Sequence, residues 1–204
     1  MNHGEFSGDP AAVWLAADGT EDRDMELLEK FYFKDPSGKK WVASKGDVVN
    51  GASIPRVLWT LIGSPYTGDY RRASIVHDVA CGEAGDDKKK RRAADRMFFH
   101  ACRAGGCSVW QATLLYIGVR VGAAAPDVPS WQAAVAAEGT GPRIRQTADE
   151  LRLQQDFQTL SDRVLAAGET DDPAELELRT DDGLLSITGT AVPDGRKSRS
   201  RRGA

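Results

Sequence analysis

Up to Val49 the apolar residues of this chain come in short runs cut by turn-forming residues, and from Asp69 onward they recur every three or four positions. This change of period limits the fold more than any other feature. Side chains two apart share one face of a strand, whereas those three or four apart share one face of a helix. Strands are therefore expected at Val13-Trp14-Leu15, over 27–33, over 40–43 and over 47–49. The second and third flank Asp35-Pro36-Ser37-Gly38, which carries Pro and Gly where a hairpin turn takes them. A shaped loop follows, Asn50-Gly51-Ala52-Ser53-Ile54-Pro55-Arg56, because Asn-Gly favours a tight turn and Pro55 biases Ile54 away from helix.

The helical half divides at its glycines. A first helix is predicted over 69–81, capped by Asp69 and stopped by Gly82. A second runs over 88–104 to Gly105-Gly106, with Ala94, Met97, Phe98, Ala101 and Cys102 as its apolar stripe. A third starts at Ser108, carries Trp110, Leu114, Ile117 and Val121, and fades over 122–126. Short connections make these helices antiparallel neighbours. Beyond Pro126 the pattern predicts a polar amphipathic helix over 143–167, with Leu151, Phe157, Leu160 and Val164 as contacts. A hairpin of 175–178 with 184–188 is expected around Asp181-Asp182-Gly183. The fold class is thus α+β: N-terminal strands and hairpin, an antiparallel helical core, and a C-terminal helix and hairpin appendage. The expected units are a loose N-terminus (1–24), an α+β domain (25–125), the appendage (126–190) and a disordered basic tail (191–204).

Charge and cysteine content exclude little but rank the possibilities. A formal charge of -3 gives no sign of an obligatory nucleic-acid or membrane partner. The basic run over 88–92 reads as a solvated face or as a contact for an anionic surface. The Ser/Arg tail could bind nucleic acid non-specifically, and specific binding is not expected. No run approaches the roughly 18 apolar residues of a membrane span, and no signal peptide is visible at the start. Cys81, Cys102 and Cys107 read as reduced core residues, since the latter two lack a second pair at zinc-finger spacing.

One pair of residues carries chemistry. His77 and Asp78 adjoin on a helix with apolar neighbours, and burying both is costly unless each finds a partner. The next helix offers Asp95, which lies at a distance from the connecting 83–87 loop comparable with that of His77, so the two can meet across the interface. A histidine oriented by a carboxylate can take a proton from water. Asp78 diverges by about a hundred degrees and could hold a hard cation such as calcium with oxygens from the 47–53 loop, Asn50 among them. The bland alternative is a structural histidine tying two helices together. Ser53 reads as a loop-stabilising hydroxyl, Arg56 as a ligand contact or packing, and Trp59 as packing.

Asn50-Gly51-Ala52-Ser53-Ile54-Pro55-Arg56, Leu58-Trp59, His77-Asp78, Arg92 with Ala94-Asp95, Phe98, and Tyr116 to Arg120 together resemble a phage- and prophage-associated family catalogued as domain-of-unknown-function family 1353. The resemblance covers about residues 30–122 and implies no activity. It places the protein in the host cytoplasm or the virion. The order of His77, Asp78 and Asp95 is also remotely similar to the prokaryotic phospholipases A2, which implies His77 as general base, Asp95 as its partner and Asp78 as calcium ligand. That likeness departs at Cys81, where an aromatic is expected, and at Asn50, where an acid opens the loop motif.

Two functions therefore compete. One is a calcium-assisted hydrolase of phospholipid or another carboxyl ester, with Ser53 and Arg56 beside the substrate. The other is a non-catalytic phage accessory or virion protein that assembles, with itself or a phage partner, through residues after Pro126.

Overall fold

In a computed structural model the described residues are 1–15, 24–51, 54–55, 58–62, 68–124 and 148–188. The fold is α+β. Six short strands precede the helices: β1 (Glu5–Phe6), β2 (Ala12–Trp14), β3 (Met25–Leu27), β4 (Phe31–Lys34), β5 (Lys40–Ala43) and β6 (Val48–Val49). They form two antiparallel sheets, in the orders β1-β4-β5 and β2-β3-β6. The β4–β5 hairpin forms where expected, with Phe33 opposite Trp41. Asp35 holds its turn by accepting the backbone N–H of Ser37 (2.9 Å), that of Lys39 (3.1 Å) and the Trp41 indole N–H (2.8 Å).

The strand expected over 27–33 is instead broken in two, one part in each sheet. A continuous strand would put Glu29 on the same face as Leu27, Phe31 and Phe33, all of which are buried. The bend at 28–30 turns Glu29 out to solvent. The N-terminus is also better anchored than expected. β1 pairs with β4, and His3 is buried, with Nε2 2.9 Å from Asp171 Oδ2 and Nδ1 3.1 Å from His100 Nδ1.

A one-turn α1 (Trp59–Ile62) leads to α2 (Arg71–Ala84), α3 (Lys88–Gly105) and α4 (Val109–Ala124). Gly82 does not stop α2. The helix runs one turn further to Gly85, whose φ of +51° suits a residue without Cβ. Asp69 does not cap it either, because Tyr70 occupies that position. Asp87 caps α3 by accepting the N–H groups of Lys89 and Lys90, which offsets the cations gathered at that helix start. Gly106, at φ +116°, ends α3, and Ser108 caps α4 as predicted. The three-residue connection 85–87 folds α3 back along α2. α2 also covers β4 and β5, and α4 packs on α3.

The C-terminal part departs most from expectation. α5 (Ala148–Ala166) buries Leu153, Phe157, Leu160 and Val164, while Leu151 faces solvent. The expected hairpin is a single helix, α6 (Pro173–Thr188). Its start carries strong helix signals: Asp172 accepts the Ala174 N–H, and Pro173 opens the first turn. Leu176, Thr180 and Leu184 then recur at helical spacing and are buried. Gly183 serves closeness rather than turning, because a Cβ there would lie 2.2 Å from Leu160 Cδ1. α6 packs on α3, α4 and α5, so it belongs to the core and not to a detached appendage. The segment 125–147, where Pro126 lies, and the tail from 189 are outside the described residues.

Gly82 and Gly183 are both helical, but only Gly183 meets a neighbour. Gly82→Ala should raise the unfolding free energy by about 0.5–1 kcal/mol, as restricting an unstrained helical glycine does. Gly183→Ala should lower it by about 1–3 kcal/mol, the usual cost of overpacking a core. Urea denaturation of the two variants checks the pair.

Candidate functional site

α2 presents Ala73, Ile75, Val76 and Ala80 to the core, and His77 falls on the same buried side. Its ring is 0% exposed. The folded-back α3 brings Asp95 against it, with His77 Nε2 3.0 Å from Asp95 Oδ1. The expected meeting of these two residues therefore occurs. One face of the imidazole lies against Phe98, ring centroids 4.7 Å apart. One turn beyond His77, Cys81 places its Sγ 3.5 Å from Nε2 and 3.9 Å from Nδ1.

The other oxygen of Asp95 faces α4, where Arg120 Nη1 stands 3.7 Å away. Arg120 is itself buried and donates from Nη2 to Asp181 Oδ1 of α6 at 2.7 Å. Asp181 is shared with Arg92, whose Nε donates to Glu177 Oε1 at 3.0 Å. Arg96 closes the sequence on Glu177 Oε2 at 2.9 Å. A continuous line of charge thus crosses from α2 through α3 and α4 to α6. Arg120 Nε and Nη1 find no hydrogen-bond partner among the described residues.

These surroundings decide the state of His77. Burial disfavours an imidazolium, but the Cys81 sulfur and the Asp95 carboxylate favour it more, and its pKa is pushed up to about 10. At neutral pH the ring holds a proton. A general base must have a free lone pair and reach water, and this imidazole meets neither condition in the folded state.

Asp78 points elsewhere, as adjacency on a helix requires. Its Oδ2 accepts the backbone N–H of Asn50 at 2.8 Å, which pins the chain at the β6 exit. Asn50 and Asp78 are therefore brought together, with the Asn50 backbone N–H as donor and the Asp78 carboxylate as acceptor. Burial raises the Asp78 pKa to about 6, against the opposing effects of the Asn50 N–H and the His77 charge. Ser53 and Arg56 lie outside the described residues. Trp59 is partly buried against the core and donates its indole N–H to Ile54 O at 3.1 Å, in line with the packing role expected of it.

Sequence reasoning missed Cys81, Arg120, Glu177 and Asp181 as members of this centre. Cys81 had a signal in its one-turn spacing from His77, and Arg120 in standing alone as a cation within an apolar helix. Among the described residues, His77, Cys81 and Asp95 converge closely enough to share a metal ion, their ligand atoms all within 4.8 Å of one another. A nitrogen and a sulfur in that set do not suit calcium, which takes oxygen ligands.

Residues 25–119 match the family model "Protein of unknown function (DUF1353)". That segment contains Asn50, His77, Asp78, Cys81 and Asp95, stops one residue short of Arg120, and leaves out α6. The chain is 40% identical over 118 residues to the uncharacterised protein y4jT of Sinorhizobium fredii, covering 57% of this chain and 33% of that one. It is 33% identical over 101 residues to y4iH of the same organism, covering 48% of this chain and 40% of that one. The chain thus spans well under half the length of these curated relatives. No solved structure matches it. Among the described residues, no helix is long and apolar enough to cross a membrane.

The raised pKa of Asp78 gives a pH-dependent expectation. The unfolded carboxyl loses its proton near pH 3.8 and the folded one near 6, so above pH 6 the buried charge costs stability. Asp78→Asn keeps an acceptor for the Asn50 N–H and removes the charge. It should raise the unfolding free energy by roughly 1 kcal/mol at pH 8, after allowing for partial exposure. The gain should vanish below about pH 4. Thermal unfolding at the two pH values tests this.

Proposed function

We propose that this chain is a non-catalytic accessory or assembly protein of phage or prophage type, built on a family 1353 domain whose His77–Asp95 pair is a structural lock. The observation that carries the reading is the complete burial of His77 beside a carboxylate. An imidazolium in that position holds α2 to α3, and Arg120 extends the tie to α4. The phage association rests on the motif resemblance alone.

A second reading, a phospholipase A2-like hydrolase of lipid or carboxyl esters with calcium at Asp78, is favoured by the 3.0 Å His77–Asp95 contact on the two helices where it was expected. It demands a state in which His77 is neutral and wet. The hydrolase reading takes a lipid or other ester as substrate and calcium as cofactor, and the accessory reading takes a phage or self-assembly partner in the virion or the host cytoplasm.

The two part on a single variant. On the structural reading, His77→Ala lowers the unfolding free energy by about 3–5 kcal/mol, because Asp95 is left buried without its partner. The parent protein then releases no fatty acid from phospholipid vesicles, with or without calcium. Calcium-dependent release that His77→Ala abolishes would establish the hydrolase instead.

A further inference from the structure

His3 and His100 lie 97 residues apart in the chain, yet their rings meet with Nδ1 facing Nδ1 at 3.1 Å. The other nitrogen of His3, Nε2, stands 2.9 Å from Asp171 Oδ2. Asp171 also accepts from Arg103 Nε at 2.7 Å. Burial raises the Asp171 pKa, but the bonds from Arg103 and His3 outweigh it and hold the carboxyl below its usual range. An ionised carboxylate only accepts, so His3 Nε2 carries a proton.

The facing Nδ1 atoms then need one proton between them. A neutral pair supplies it from His100, and a pair with one charge supplies it from either ring, so the contact survives in both states. With both rings charged, two N–H groups point at each other and the contact is lost. We propose that His3 and His100 form a proton-operated clasp. It is closed while the two Nδ1 atoms share a single proton. A second proton opens it and releases the segment 1–7 from α3 and from the lead-in to α6. The clasp goes beyond both readings of function and depends on neither.

The segment has little else to hold it. β1 contributes two residues, Glu5 opposite Lys34 and Phe6 opposite Phe33, fewer than a self-sufficient strand needs. The chain passes from His3 to β1 through Gly4, at φ +97°, where a Cβ would lie 2.2 Å from Lys34 O. The His3 ring is buried with its edge towards Phe99, centroids 6.2 Å apart. Burial, His3 and Arg96 keep the His100 pKa below its ordinary 6.5, against Asp35 of the β4–β5 hairpin and Asp171. The unfolded ring takes up its proton first as pH falls, so the stability from the clasp is complete above 6.5 and is lost below it. Opening uncovers Phe31 and Phe33, which Phe6 covers at centroid distances of 5.7 and 5.0 Å.

The test is amide hydrogen exchange of the full chain by NMR, corrected for the intrinsic effect of pH. The Ser7 N–H, which donates to Tyr32 O at 2.9 Å, reports on the segment. Its protection should fall about tenfold or more between about pH 7 and about pH 5, as uptake of one proton permits. Protection of the Asp35 N–H, which donates to Lys39 O within the hairpin, should stay constant. His100→Gln keeps a donor and an acceptor but does not titrate, and it should make Ser7 protection indifferent to pH over this range. Asp78, with its pKa at about 6, titrates in the same window, and Asp78→Asn should leave the fall in place. Should His100→Gln not fold, the ring ¹⁵N signals of the parent decide. One of the two rings is expected to take its proton below 6.5, in step with the loss of Ser7 protection. The clasp is overturned by constant Ser7 protection down to about pH 5, or by a fall that persists in His100→Gln or disappears in Asp78→Asn. Two rings that titrate independently at 6.5 overturn it as well.

Discussion

The structure turns on one buried ionic contact, the imidazole of His77 against the carboxylate of Asp95. Neither group could be placed in an apolar core alone, since an isolated ion there loses far more in hydration than packing returns. Their pairing lets α2 and α3 bury a common face, and α4 then adds Arg120 on the open side of Asp95. From Arg120 the charge passes to Asp181 of α6, from Asp181 to Arg92, and from Arg92 through Glu177 to Arg96. Every helix in this line is held by a partner on the next one. Removing a member strands its neighbour, which makes the centre cooperative and intolerant of single changes.

The same contact separates what the site can do from what its residues suggest. Histidine, an orienting acid and a second acid in sequence are the parts of a hydrolytic centre. Here the histidine is enclosed by Phe98 and Cys81 and its pKa is pushed up to about 10, while one oxygen of Asp78 accepts the Asn50 backbone N–H. Enclosure suits a lock far better than a base that must meet water.

Local signals made much of this legible. The comparable distances of His77 and Asp95 from a short connection point to their meeting, as Pro and Gly point to the Asp35 turn. Errors arose where tertiary packing overrode a local signal. Asp181-Asp182-Gly183 is a turn sequence by composition, yet Leu176 and Leu184 needed one helical face, and Gly183 was required for Leu160 to approach. Gly82 has room for a side chain and so had no reason to stop α2. Glu29 broke a strand because a polar residue could not face the core with Leu27 and Phe31. The partner of Arg120 lies 61 residues further on, and that of His3 lies 168 residues away, separations at which no spacing argument operates.

The central claim is that His77 is a buried cation locked to Asp95, and ¹⁵N NMR of the imidazole in metal-free protein tests it most directly. The account predicts that both ring nitrogens stay protonated from pH 6 past pH 8, with the ring titrating at about 10 and the Nε2 proton exchanging slowly. A ring that titrates at its ordinary value of 6.5, with a rapidly exchanging proton, would contradict it.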